Sequence, residues 1–380
     1  MNALREECQQ LRDELIALRR EFHRAPELGL HEYHTAARIE RELDRCAIPH
    51  ERVGETAVVG HLTGNGNGGG LVVLRTDIDA LPIQETNDVP YRSQTPGMMH
   101  ACGHDMHAAV LFGVLKTFAE APDFRGTLFG LFQPGEECNP GGASRVLAED
   151  PFRGYDVAAV VGEHVDPQLE TGRLGFRAGK YMASNDELRF TIRGRGGHGA
   201  LRGQIDDTVS AAADLTLRLT ALNDPDRVVS IGRLDAPGAT NVIPDEVRME
   251  GTMRTFDETL RADTRSAVRT CAEQVARQYG VTVITDISPG YPCVTNDARL
   301  TRIATELADR LGIPWEPLPL RPTAEDFGFY GQRYPALFYR LGVGAAAGKL
   351  HTSTFNPDEG AIACGIGFMH ELALRLLTKT

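Results

Sequence analysis

The chain has 380 residues, is 42% hydrophobic and 24% charged, and carries a formal net charge of −12. That length suits two or three domains of roughly 100 to 200 residues each, and the composition is that of a globular protein rather than a disordered or fibrous one. An acidic surface without any Lys/Arg run repels a phosphate backbone, which excludes nucleic acid as a partner, and no stretch approaches the ~20 apolar residues of a membrane span.

Along the chain, Leu4, Cys8, Leu11, Leu15, Leu18 and Phe22 advance by three or four, the spacing of an amphipathic helix that stops before Pro26. This start lacks the apolar core of a signal peptide, so the expectation is a cytoplasmic protein with no membrane partner. Gly64–Gly70 reads as a glycine-rich surface loop. It precedes a strand and opens no helix, so it is not a phosphate cradle. Short apolar runs at Leu71–Leu74, Thr127–Phe132, Val157–Val161 and Ala336–Leu341 read as buried parallel strands, with helices at Ala108–Ala119 and Ala361–Leu377. These pieces make an open α/β sheet.

The middle of the chain follows another rule. Leu188, Phe190 and Ile192 alternate, Thr208–Leu222 is helical, Val228–Leu234 and Val247–Met253 are strands, Leu260–Tyr279 is helical and Val281–Ile287 is a strand. The order βαββαβ is the split, ferredoxin-like arrangement. The expected architecture is an α/β domain of residues 1–183 and 293–380, interrupted by an α+β insert of residues 184–292. Seven cysteines at 8, 46, 102, 138, 271, 293 and 364 have no framework spacing, which predicts reduced thiols.

Ligands of an open α/β sheet bind beyond the carboxyl ends of its strands. There the sequence collects Asp77 and Asp79, then Gln133, Glu136 and Glu137, then Glu163 and His164, and finally His351 after a glycine-rich loop. Met99–His107, with His100, Cys102, His104, Asp105 and His107, sits immediately before a predicted helix. A lone histidine is more often structural and adjacent glutamates more often form a solvated turn. Carboxylates gathered in one cleft repel unless a cation lies among them, and thiolate, imidazole and carboxylate together suit zinc, cobalt, nickel or manganese but not an all-oxygen calcium site.

The strings LRTDIDALPIQE (74–85), MHACGHDMHAA (99–109), FQPGEE (132–137), GEHVDP (162–167), GRGGHGA (194–200), TNVIPDEVRMEGTMRTFDE (240–258) and AEDFGFY (324–330) resemble the M20 metallopeptidase superfamily. They are most similar to its amidohydrolase branch of hippurate hydrolase, N-acyl-amino-acid deacylases and auxin-conjugate hydrolases. RREFHRAPELGLHE near the start belongs to the same pattern. The resemblance implies a zinc-peptidase-like catalytic domain with an inserted lid and dimerisation domain. It also implies that Cys102, His104, Glu137, His164 and His351 hold two divalent ions, zinc foremost, with Cys102 shared between them. Glu136 is then the general base, and Asp79 and Asp105 orient the ligands. His198 completes a neighbouring subunit's site in a homodimer, and Asn241 and Arg254 bind the substrate carboxylate.

His100 and His107 are expected to be structural, and Cys138 to be a small buried thiol. Glu163 stands where the family more often has an apolar residue, and Leu201-Arg202 stands where a proline is usual. Both departures are expected to border the substrate. The function this implies is hydrolysis of the amide bond of an N-acyl amino acid or short peptide. A carboxypeptidase or dipeptidase on the same site is the nearest rival. A cysteine hydrolase built on Cys102 leaves Glu136, Glu137 and His351 without purpose, and a noncatalytic conjugate-binding protein does not need Glu136.

Overall fold

The computed structural model describes residues 2–378; Lys379 and the side chains of Leu4 and Cys8 lie outside the described residues. In chain order the elements are α1 (Asn2–Arg24), α2 (Tyr33–Arg45), β1 (His50–Val53), β2 (Ala57–Thr63), β3 (Gly66–Asp77), α3 (His104–Glu120), β4 (Arg125–Gln133), α4 (Gly142–Glu149), β5 (Val157–Asp166) and β6 (Leu174–Phe176). Then follow β7 (Gly179–Met182), β8 (Asp186–Arg193), β9 (Gly197–His198), α5 (Thr208–Thr220), β10 (Arg227–Asp235), β11 (Val242–Ile243), β12 (Glu246–Thr255), α6 (Glu258–Tyr279) and β13 (Thr282–Pro289). The last are β14 (Val294–Asn296), α7 (Ala298–Leu311), β15 (Trp315–Pro317), α8 (Gly328–Gly331), β16 (Ala336–Gly342) and α9 (Ile362–Thr378).

The chain divides into two units. One contains residues 1–179, 295–319 and 326–380, and the other residues 180–294 and 320–325. Residues 320–325, read from sequence as part of the α/β domain, go with the insert because Arg321 bonds back to its first residues: the Arg321 carbonyl accepts the Ala183 N–H at 3.0 Å.

In the larger unit an eight-stranded sheet runs β1-β2-β4-β3-β5-β16-β6-β15. The four apolar runs become its centre, β4-β3-β5-β16, and every neighbouring pair there is parallel. Parallel strands covered on both sides need no polar face, which is why Leu71–Leu74 and all of β16 are buried. Antiparallel pairings occur toward the edges, at β1-β2, β2-β4 and β16-β6. Helices α1, α3 and α9 pack on one another, α3 and α9 also on the sheet. Helix α1 buries Leu15, Leu18 and Phe22 of the predicted stripe, with Leu11 half-buried.

Several boundaries differ from expectation. Gly66–Gly70 is the beginning of β3, with an irregular register before Leu71, because glycines can extend beside β4 as well as loop. Helix α3 starts at His104, so His104 and His107 stand on its first turn instead of before it. Strand β5 continues to Asp166, which puts Glu163 and His164 inside the strand. The segment Glu359–Thr378 is long and apolar enough to cross a membrane by length and composition. Counting uninterrupted apolar residues missed it because His370, Glu371 and Arg375 break the run; here Ile366, Phe368, Met369, Leu372 and Leu376 are buried in the core.

The smaller unit is a four-stranded antiparallel sheet ordered β10-β12-β8-β13, with α5 and α6 packed together on it, built in the chain order βαββαβ. Leu188, Phe190 and Ile192 of β8 share its core with Leu215 of α5 and Val268 of α6. Asp207 and Asp257 cap the two helices through the N–H groups of Ser210 and Leu260. Among the described residues the six remaining cysteines are free thiols.

Candidate metal centre

The parallel strands deliver the ionisable groups to one sheet edge. β3 ends at Asp77, with Asp79 two residues on; β4 leads into the turn of Glu136 and Glu137; β5 presents His164; and the chain after β16 returns with His351. Gly103 separates Cys102 from His104. Its φ is 86°, and a Cβ there would meet Val165 Cγ2 at 2.6 Å, so only glycine lets α3 begin this close to β5.

Cys102 Sγ lies 3.3 Å from His164 Nε2 and 3.3 Å from His351 Nε2. His351 Nε2 is in turn 3.0 Å from Glu137 Oε1. The imidazoles are oriented from behind. His164 Nδ1 donates to the Val165 carbonyl at 2.7 Å, and His104 Nδ1 bonds Asp79 Oδ1 at 3.2 Å, so each keeps Nε2 for something else. His104 Nε2 is buried without a hydrogen-bond partner. Asp79 also accepts the Glu137 N–H at 2.9 Å, so one carboxylate fixes two of the grouped residues. Cys102 with His104 and His164, Cys102 with Glu137 and His351, and His104 with Glu136 and Glu137 each bring one ligand atom apiece within 4.8 Å of one another.

Burial dominates the electrostatics of the cluster. Burial, then the charge of Glu137, pushes the Cys102 thiol up to about 12. Burial, then Arg340, takes His164 well below the usual imidazole range. Burial alone would lower His104, but the charges of Asp77 and Cys102 and the hydrogen bond to Asp79 together outweigh it and raise its pKa. An orphaned imidazole nitrogen, a thiol and two histidines aimed at one spot fit a borderline divalent ion. His351 has φ 60°, a strained backbone for a non-glycine residue. Its N–H bonds the Ala101 carbonyl at 2.9 Å, and the neighbouring loop is tied down by Thr86, whose N–H donates to the Ser353 carbonyl at 2.9 Å.

Other expectations fare differently. Asp105 faces away from the cluster: it lies 2.8 Å from Arg19 Nε and 2.8 Å from His23 Nδ1, because the first turn of α3 points successive side chains in different directions. Glu163 lies on the opposite side of β5 from His164, where it accepts the Tyr339 hydroxyl at 2.7 Å and a Cβ on Gly365 would lie 3.1 Å from it; strand alternation puts it in the core. Cys138 is half-buried, not buried, against Gly29. His100 is buried, and burial takes it down to about 4. His107 is saturated, bonding Asp77 Oδ1 at 2.6 Å and accepting the Val165 N–H at 2.9 Å.

Sequence reading gave no role to Asp77 or Asp326. Arg75 bridges them, at 2.8 Å to Asp77 and 2.7 Å to Asp326, and Gln133 donates to Asp326 at 2.8 Å. Asp77 thereby holds His107, which holds the peptide next to His164. The alternating T-D-I-D of 76–79 was the available signal, with Asp77 at the end of β3 and Asp79 two residues beyond it.

In the smaller unit His198 of β9 pairs with Val242 of β11, and Gly199 N–H bonds the Asn241 carbonyl at 2.9 Å, which brings His198 and Asn241 together. Both are exposed, as are Leu201 and Arg202. His198 Nδ1 accepts the Ala200 N–H at 3.2 Å. Arg254 is half-buried on β12, and among the described residues no carboxylate pairs with it; burial lowers its pKa.

The family model for Peptidase family M20/M25/M40 matches residues 73–375. The chain is 35% identical to an N-acetylcysteine deacetylase of Bacillus subtilis over 96% of its own length and 97% of the relative's. It is 33% identical to an N-acetyldiaminopimelate deacetylase of Enterococcus faecalis, over 95% and 98%. A crystal structure of a dinuclear metal-binding peptidase of the M20 family from Bacillus subtilis superposes with a TM-score of 0.88 at 34% identity, covering 98% of this chain and 100% of that one. With a family match across most of its length and relatives of this identity over nearly all of it, the chain belongs to Peptidase family M20/M25/M40.

Proposed function

We propose that the protein is a metal-dependent amidohydrolase that removes the acyl group from N-acyl amino acids. The observation that carries this reading is the convergence of Cys102, His164, His351 and Glu137 with the unpartnered Nε2 of His104. These five residues would hold a pair of divalent ions, zinc foremost, with manganese, cobalt or nickel as alternatives. Such ions, when bound, polarise the amide carbonyl and lower the pKa of water from 15.7 toward about 7.

The remaining chemistry falls to the chain. Glu136 is buried, with a carboxylate oxygen within 4.8 Å of a His104 nitrogen and a Glu137 oxygen, where it takes the proton from attacking water and passes it to the leaving amine. Asp79 keeps His104 and the Glu137 backbone in place. Arg254, half-buried without a counter-ion, takes the substrate carboxylate beside Asn241. His198 donates to the developing oxyanion of the partner's site in a homodimer formed through the inserted unit. Support for that assembly is the exposure of Leu217, Val228, Leu234 and Ile284, all in the smaller unit, with Val228 and Leu234 on the edge strand β10.

The test is a panel of N-acetyl amino acids, N-benzoyl amino acids and dipeptides on metal-reconstituted protein. Turnover of the N-acyl amino acids above the dipeptides is expected. Preference for dipeptides would assign the site to a peptidase instead.

A further inference from the structure

The stretch RREFHRAPELGLHE, residues 19–32, takes no part in the chemistry described so far, yet its last four residues lie against the turn that carries Glu136 and Glu137. A Cβ on Gly29 would stand 2.3 Å from Cys138 Sγ, 3.1 Å from Gly135 Cα and 3.1 Å from Asp79 Oδ2, so this backbone touches both the turn and the carboxylate behind His104. Leu30 has φ 67°, a left-handed conformation that is strained for a residue with a side chain. Its side chain occupies the space that Gly135, lacking a Cβ, leaves open: a Cβ there would be 2.7 Å from Leu30 Cδ2.

Glu32 holds this arrangement. It is fully buried, its Oε1 accepts the N–H of Leu30 at 2.9 Å and of Gly135 at 2.7 Å, and its Oε2 accepts the Thr56 hydroxyl at 3.0 Å. One carboxylate therefore secures the strained leucine and the peptide N–H immediately before Glu136. On the far side of Glu136, Asp79 accepts the Glu137 N–H at 2.9 Å. Both backbone neighbours of Glu136 are thus pinned by buried carboxylates, and Glu32 reaches Gly135 across 103 residues of sequence.

We infer that Glu32 is a positioning residue for Glu136, fixing one side of the turn on which the base stands while Asp79 fixes the other. The inference rests on the reading of Glu136 as general base. Glu32 acts as an acceptor through the backbone, touching neither substrate nor metal. That role does not need its charge. Burial, then Asp79, pushes its carboxyl up to about 7, and both protonation states keep an oxygen for the two N–H groups.

Glu32→Ala, Glu32→Gln and Glu136→Gln separate the possibilities when kcat, KM, metal content and amide exchange at Gly135 are measured together. Glu32→Ala should keep its metal and a KM within about twofold of wild type but lose at least ~10-fold in kcat, since a displaced catalytic group costs rate more than binding. Its Gly135 amide should exchange faster. Glu32→Gln, whose amide oxygen can accept both N–H groups, should recover most of the rate and of the protection. Wild-type kcat in Glu32→Ala, or unchanged exchange at Gly135, would overturn the inference. So would an equal loss in both Glu32 variants that follows metal content or folded fraction. Full activity of Glu136→Gln would instead remove the base assignment, and with it the role given to Glu32, whatever Gly135 does.

Discussion

Glu136 and Glu137 are adjacent, yet the proposed mechanism gives them different roles. Glu137 approaches His351 Nε2 at 3.0 Å, within the ligand cluster, and Glu136 is held beside it. Glu136→Gln should leave metal content nearly unchanged and lower kcat by about 10²- to 10⁴-fold, the usual loss on removing a general base. Glu137→Ala and Cys102→Ala should lose metal itself. Metal analysis alongside turnover decides this, and an active Glu136→Gln that has lost metal would reverse the assignment.

Glu163 offers a second residue-level test, one of stability. Burial pushes its carboxyl up to about 7, and Oε1 has no hydrogen-bond partner. A raised carboxyl favours the folded state while protonated; as pH rises from the unfolded value of about 4.3 through about 7, the unfolded chain ionises more readily and stability falls. Glu163→Gln should remove that slope, gaining up to about 3 kcal/mol relative to wild type at pH 8 and little at pH 5. Urea melts at the two pH values measure it. A gain equal at both would show that the carboxyl is not titrating in this window.

At the scale of elements, the first turn of α3 is tied to α1 by a buried charge network. Asp105 meets Arg19 and His23, each at 2.8 Å; His23 also meets Glu85 at 3.2 Å, and Arg19 and Arg20 reach Glu359. Burial alone would lower the His23 pKa, but hydrogen bonds to Asp105 and Glu85, together with the charge of Asp105, outweigh it and the opposing charge of Arg19, so the net shift is upward. Tyr91 and His100 also face His23, 5.8 and 6.4 Å away between ring centroids. A histidine with a raised folded pKa stabilises fully below its unfolded value of about 6.5 and ceases to do so as pH rises through the folded one. The free energy of unfolding should therefore decline above pH 6.5, and His23→Gln should flatten that decline. An unaltered slope would show that His23 is not the titrating group.

This network also marks what the sequence could and could not reveal. Apolar runs such as Leu71–Leu74 announce the central strands because both sides of a parallel strand are covered. The ends of those strands carry His164 and Asp77, polar residues that a periodicity rule reads as loop. The strands at His50–Val53 and Leu174–Phe176 are too short or too mixed in character to register. Thiol, imidazole and carboxylate near strand ends drew attention to the cluster in sequence, and the resemblance singled out Cys102, His104, Glu137, His164 and His351 within it as the expected ligands. Asp105 was assigned to the wrong group because neighbouring residues on a helix diverge by about 100°. Glu32 and His23 act through partners 103 and 82 residues distant, and a single sequence carries no mark of that pairing.

For the whole molecule, the dimer reading makes a quantitative statement. His198→Ala keeps its own Glu136, and Glu136→Gln still lends its His198. When the two inactive variants exchange subunits, mixed dimers should contain one intact site, and activity should return to about one quarter of wild type, as random pairing in a two-fold assembly requires. A mixture that exchanges and stays inactive would confine His198 to its own subunit or to no role.

Beneath every functional statement lies the claim that the grouped donors hold two divalent ions and that hydrolysis depends on them. The most direct measurement strips the protein with chelator and titrates zinc or manganese back while bound metal and hydrolysis of an N-acetyl amino acid are followed on the same samples. The expected result is no turnover in the stripped protein, and recovery that reaches its plateau at two ions per subunit. Full turnover in protein shown to be free of metal would contradict the account.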